Sequence, residues 1–168
     1  MSNNLPSSRR LGIISDTHGL LRPEALAFLR GSDLIIHGGD IGKAEVIAQL
    51  SVLAPVTVVR GNNDKGAWAD KLPDFALVDF HGASIYVLHD LSQLDIDPSA
   101  AKINAVVSGH SHKPLVERRD GILYVNPGSA GPRRFRLPVA LGELLVDGGG
   151  MSARIVELEI APARSRPA

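Results

Sequence analysis

Five strand-like stretches, each stopped abruptly by Gly, Asp, Asn or His, constrain this chain more than any other feature. Leu11-Gly12-Ile13-Ile14 ends in Ser15-Asp16-Thr17-His18-Gly19, and Asp33-Leu34-Ile35-Ile36-His37 ends in Gly38-Gly39-Asp40. Pro55-Val56-Thr57-Val58-Val59-Arg60 ends in Gly61-Asn62-Asn63-Asp64, and Val87-Leu88 in His89-Asp90. Ala105-Val106-Val107-Ser108 ends in Gly109-His110-Ser111-His112. Short runs of branched apolar residues without polar alternation read as strands buried on both faces. A polar cluster at the end of such a strand is where chemistry collects.

The segments between them set the architecture. Pro23 can open a helix over 23–30 that Gly31 stops. A second helix is expected over 43–53, with Val46, Ile47 and Leu50 on its inner face. Strand, helix, strand, helix, strand implies a parallel sheet with right-handed crossovers, and such sheets bind ligands beyond their carboxyl ends. The second half is hairpin-rich. Strands are expected over 75–80 and 84–88 around His81-Gly82-Ala83, over 115–119 and 122–125 around Asp120-Gly121, and over 139–146 and 151–160 around Gly148-Gly149-Gly150. Asp97-Pro98 reads as the start of a short helix. In the last strand the apolar phase slips by one residue between Ile155 and Val156, which predicts a β-bulge. The whole predicts an α/β fold, a four-layer sandwich of two mixed β-sheets flanked by helices, in one domain over 1–168 with flexible ends at 1–8 and 161–168.

Composition narrows the partners. Eighteen basic residues balance 18 acidic ones, so no global charge recommends a nucleic-acid or membrane surface. There is no cysteine, so a metal would be held by His, Asp, Asn and water, which favours manganese, magnesium or iron, with zinc open. Residues 1–10 lack the apolar core of a secretory leader, and no apolar run reaches the roughly 20 residues of a membrane span. The expectation is a soluble cytoplasmic protein.

The five strand ends carry Asp16, His18, Asp40, Asn62, His89, His110 and His112. Any one of them is ordinary turn chemistry; two carboxylates, one amide and four imidazoles on one sheet edge are not. Seven ligands, with a carboxylate able to bridge, suit two metal ions roughly 3.5–4 Å apart.

Asp16-x-His18, Gly39-Asp40, Gly61-Asn62-Asn63-Asp64, His89 and Gly109-His110-Ser111-His112 together resemble the calcineurin-like metallophosphoesterases, in particular their small prokaryotic phosphodiesterases. The resemblance runs over residues 10–160. It implies one ion held by Asp16, His18 and His112, a second by Asn62, His89 and His110, and Asp40 bridging them. It further implies manganese, with iron, nickel, magnesium or zinc as substitutes, and hydrolysis of small phosphodiesters by attack of a metal-bridging hydroxide. Asn62 and His89 would then serve catalysis as well as binding, and Asp64 would orient its neighbours, although a plain turn aspartate fits it too. A phosphomonoesterase is the alternative enzyme, and a non-catalytic scaffold like the retromer subunit of this fold is a third reading. A homo-oligomer is open.

Two positions depart from the family pattern. Asn63 stands where many relatives have a histidine that helps the leaving group, and Asp90 where glycine is common. Asp90 could position His89 or face solvent. His37 reads as a core or supporting histidine, and His81 as exposed. Asn126-Pro127-Gly128-Ser129 could shape access or be a turn. Arg133, Arg134 and Arg136 form a basic loop, solvated or phosphate-binding, and Trp68 could rim a site or cap the core.

Overall fold

The computed structural model describes residues 8–148 and 150–160; the lead-in over 1–7, Gly149 and the tail from 161 lie outside the described residues. Strands β1 (Arg9–Ile14), β2 (Leu34–His37) and β3 (Val56–Val58) run parallel, connected through helices α1 (Pro23–Leu29) and α2 (Ala44–Ser51). The parallel register sets Ile13 beside Ile36 and Ile14 beside His37, so the turns after β1 and β2 leave the sheet level with each other. Those turns remain paired. The Asp16 N–H donates to Gly39 O at 3.0 Å and the His18 N–H to Asp40 O at 2.9 Å.

After the short helix α3 (Ala67–Asp70) come β4 (Phe75–Phe80), β5 (Ala83–Leu88), β6 (Ala105–Val107), β7 (Leu115–Arg119), β8 (Ile122–Asn126), β9 (Ala140–Asp147) and β10 (Gly150–Glu157). Two five-stranded sheets result, ordered β10-β9-β1-β2-β3 and β4-β5-β6-β8-β7. Both are mixed: the first is parallel from β1 to β3 and antiparallel at β9 and β10, and the second has a parallel centre with an antiparallel strand at each edge. Ile13, Ile36, Ile85, Val107, Val125 and Leu144 fill the space between the sheets. Ala25, Leu29, Val46, Leu50 and Leu141 seal the other face of the first sheet under its helices. Over the outer face of the second sheet, Tyr86, Leu88 and Val106 pack beneath Leu91, Leu94 and Ile96, in a segment carrying a 3-10 turn at Leu91–Gln93.

Three expectations about elements change. The pairing of β10 with β9 is unbroken from Gly150–Asp147 to Glu157–Ala140, so there is no bulge. The apolar phase slips because Met151, Ala153 and Ile155 face the core between the sheets while Val156 and Leu158 face the helices. Asp97 does cap, accepting from Ser99 N–H at 3.0 Å, but Lys102 turns to a φ of 57° and only one turn forms instead of a helix. The third strand is shorter than 55–60, because Arg60 turns its N–H away to Pro73 O.

Candidate metal centre

All seven side chains singled out at the strand ends meet where the carboxyl ends of the two parallel centres adjoin. They form a continuous series of close approaches. His112 Nε2 lies 3.2 Å from Asp16 Oδ1 and 3.4 Å from His18 Nε2. His18 Nε2 is 3.8 Å from Asp40 Oδ2, which is 3.5 Å from His89 Nε2. Asn62 Oδ1 then sits 3.0 Å from His89 Nε2 and 3.1 Å from His110 Nδ1. Two sets, Asp16 with His18 and His112, and Asp16 with Asp40 and His89, each offer donor atoms within 4.8 Å of one another.

The backbone marks the same place. Asp16, His18, Asp40, His110 and His112 all have φ between 47° and 69°, five of the nine non-glycine residues in the left-handed region among those described. Such conformations are costly and persist where the surroundings over-determine them, typically at ligand-binding turns. Gly61 shows how tight the packing is: a Cβ there would lie 2.1 Å from the Asp40 backbone nitrogen and from its Oδ1.

Supporting hydrogen bonds aim the donors. His89 donates through Nδ1 to Gly38 O at 2.7 Å, leaving Nε2 to face the centre. Asp16 Oδ2 accepts from Ser15 Oγ at 2.6 Å and from the His110 N–H at 3.1 Å. Asp16 Oδ1 is buried and, although His112 Nε2 is 3.2 Å away, has no hydrogen-bond partner among the described residues. A lone pair left bare in this way costs free energy unless a cation takes it. The bare oxygen, the neighbouring imidazoles and the absence of thiols fit a divalent ion with nitrogen and oxygen ligands.

Charge is distributed to match. Burial pushes the Asp40 carboxyl up, but the His89 ring and the Asn63 donors outweigh it and hold it well below the usual carboxylate range. Burial also opposes a charge on His89, yet Asp40 and Gly38 O prevail and raise it above 6.5. His18 moves down, because burial outweighs Asp40 and Asp16.

Several residues outside the seven hold them in place. Asn63 gives both its backbone N–H (2.9 Å) and its side-chain amide (2.8 Å) to the Asp40 carboxylate. Asp64 accepts from Gly61 N–H at 2.8 Å and Gly42 N–H at 2.9 Å, so it ties two turns together and does not face the ligand atoms. Asn126 donates to Gly109 O, and Ser129 Oγ to Asp16 O, so the 126–129 loop braces two ligand turns instead of forming a rim. His37 is fully buried. Its Nδ1 accepts from Gly39 N–H and its Nε2 donates to Thr17 Oγ1, whose hydroxyl donates to Ile41 O. Ser15, Thr17 and Ser129 carry no spacing signal, since a hydroxyl beside a ligand turn looks like any other.

The remaining candidates fall outside the centre. Trp68 packs into the helix-side core and is not a rim aromatic. His81 is exposed, edge-on to Phe80. Asp90 turns to His110, not His89, with Oδ2 3.7 Å from the ring, while Oδ1 accepts from Ser92 N–H and Oγ. Arg133, Arg134 and Arg136 are exposed; the Arg134 charge still reaches His18.

Fold and donor chemistry together define a metallophosphoesterase. The chain belongs to the calcineurin-like phosphoesterase superfamily, whose family model matches residues 10–147. It is 31% identical over 168 residues to a probable metallophosphoesterase of Methanothermobacter thermautotrophicus, covering 92% of this chain and 96% of that one. A structurally characterised archaeal phosphodiesterase superposes with a TM-score of 0.75 at 25% identity, over 89% of this chain and 99% of the other. Vacuolar protein sorting 29 from Cryptosporidium parvum shares the fold, with a TM-score of 0.72 at 17% identity, over 91% of this chain and 99% of that one. No helix among the described residues is long and apolar enough to cross a membrane.

Proposed function

We propose that this protein is a two-metal phosphodiesterase acting on small phosphodiesters. The observation that carries the reading is the bare, buried Asp16 Oδ1 at one end of an unbroken run of seven donor-bearing side chains. Asp16, His18 and His112 would hold one ion, Asn62, His89 and His110 the other, with Asp40 between them, within reach of both His18 and His89. Manganese is the ion we expect, with iron, nickel, magnesium or zinc able to substitute. When bound, such ions supply a water acidified to a pKa near 7 and offset charge on the phosphoryl oxygens.

The protein's own groups determine how that chemistry is used. Asn63 keeps the Asp40 carboxylate in a single orientation with two donors. The Gly38 carbonyl fixes the ring of His89 in the tautomer whose Nε2 faces the centre. The Asn62 amide faces the same space and can donate to a phosphoryl oxygen. Asn63 cannot deliver a proton to a departing alkoxide. General acid help is worth typically 10²–10⁴-fold, so its absence favours esters whose leaving group departs as a stable anion.

The test compares bis(p-nitrophenyl) phosphate with p-nitrophenyl phosphate in added manganese. We expect the diester to be cleaved with the higher kcat/KM and activity to vanish on chelation. A faster monoester reaction would replace the reading with a phosphomonoesterase, and silence with every metal would favour a scaffold.

A further inference from the structure

A cleft of about 340 Å³ opens directly off the Asn62, His89 and His110 side of the centre. Its far wall is built from the second sheet and the turn after it. Tyr86 and Leu88 form a buried floor, and Phe75 stacks on Tyr86 with ring centroids 5.7 Å apart and planes at 19°. Phe75 is 60% exposed, so its other side is open to whatever enters. A large aromatic surface displayed beside a reaction centre is a contact surface for a ligand.

Charge selects among ligands. Asp74, Asp90 and Asp95 all line this cleft, and Arg60 is the sole arginine or lysine among its described wall residues. Arg60 is already engaged, with Nη2 3.0 Å and Nε 3.2 Å from Asp74 Oδ1. That pairing neutralises Asp74 and leaves the described wall without a free arginine or lysine to receive an anionic substituent. Asp95 has no hydrogen-bond partner among the described residues, and its charge reaches the Tyr86 hydroxyl, which burial and then Asp95 push up. Asp90 faces His110, so the wall beyond the centre sets an open aromatic face beside the one carboxylate without a charged partner among its lining residues, Asp95, the combination that attracts an alkylammonium group through cation–π and Coulomb terms.

We propose, building on the phosphodiesterase reading, that this cleft seats a positively charged ester substituent, an ammonium group on a short alkyl chain, against Phe75 and Asp95. The binding of the phosphate is left to the centre, while the cleft discriminates among diesters by what they carry.

Three manganese-dependent substrates with one leaving group test this: the p-nitrophenyl esters of phosphocholine, of methyl phosphate and of thymidine 5′-phosphate. We expect kcat/KM for the choline ester to exceed that for the methyl ester about tenfold. That ratio should fall about fivefold in Asp95→Asn, about threefold in Phe75→Ala, and with rising salt, since attraction at an open cleft is screened. The change should reside in KM, because the distal group does not alter the reacting bonds. Equal rates on the three esters, or a thymidine preference, would overturn the cleft assignment and leave the phosphodiesterase reading standing. A choline preference untouched by Asp95→Asn and by salt would overturn it as well. Hydrolysis of none of the three would remove the phosphodiesterase reading and this proposal with it.

Discussion

Asp40→Asn is expected to lower manganese-dependent hydrolysis of bis(p-nitrophenyl) phosphate about 10³-fold. Asp40 is 2% exposed, and its Oδ2 lies within 3.8 Å of both His18 and His89, so it is placed to serve both halves of the centre. An amide of the same shape keeps an oxygen but removes a charge that the proposed pair of divalent ions would need. Several kcal/mol of transition-state stabilisation are at stake, and each 1.36 kcal/mol is a factor of ten. The loss should appear in kcat at saturating manganese. The thermal midpoint of the metal-free variant should fall, because the carboxylate that His89 and Asn63 stabilise is gone, while the variant stays folded at the assay temperature. An unchanged rate would show that Asp40 has no part in the reaction.

Acid should destabilise the metal-free protein by about 3 kcal/mol between pH 6.5 and 4 through one histidine. Burial holds His37 neutral down to about 4, against 6.5 for an ordinary imidazole. The hydrogen bonds agree with a neutral ring, because Nδ1 accepts while Nε2 donates. In that interval the unfolded chain binds a proton that the native state refuses, so stability is complete above pH 6.5 and declines as pH falls toward 4. His89 works in the neighbouring window with the opposite sign. Its pKa is raised when folded, so its contribution is full below pH 6.5 and lost as pH rises beyond it. Denaturant unfolding at a series of pH values should therefore show a maximum near pH 6.5, with the acid limb flattened in His37→Gln. An acid limb as steep in that variant as in the parent would contradict the assignment.

Much of the centre was legible because strands punctuate it. Each of the seven side chains follows an apolar run closely, and a parallel sheet brings successive carboxyl ends to one edge, so adjacency in space follows from topology alone. The glycines beside the ligands belong to the same signal: at Gly61 and Gly109 any side chain would occupy the volume of Asp40 or Asp16. What stayed hidden depends on a second sheet meeting the first. The support that Asn126 and Ser129 give to turns 17 and 113 residues away is invisible without the packing. The same holds for Glu143, buried in β9, which pairs with Arg10 on β1 and Arg154 on β10; only the register brings the three together. The expected bulge is absent for a related reason: a slip in alternation implies a bulge only where one face is buried, and β10 with the residue after it is covered on both. Trp68 was ambiguous because a loop aromatic caps a core or rims a site equally well until its neighbours are known.

The most direct test counts ions. Calorimetric titration of the metal-free protein with manganese should give two sites per chain, with Asn62→Ala and His110→Ala losing one while His18→Ala and His112→Ala lose the other. Diester hydrolysis should rise as the second site fills. A single site in the parent protein, or two sites that vanish together in every variant, would contradict the two-metal centre.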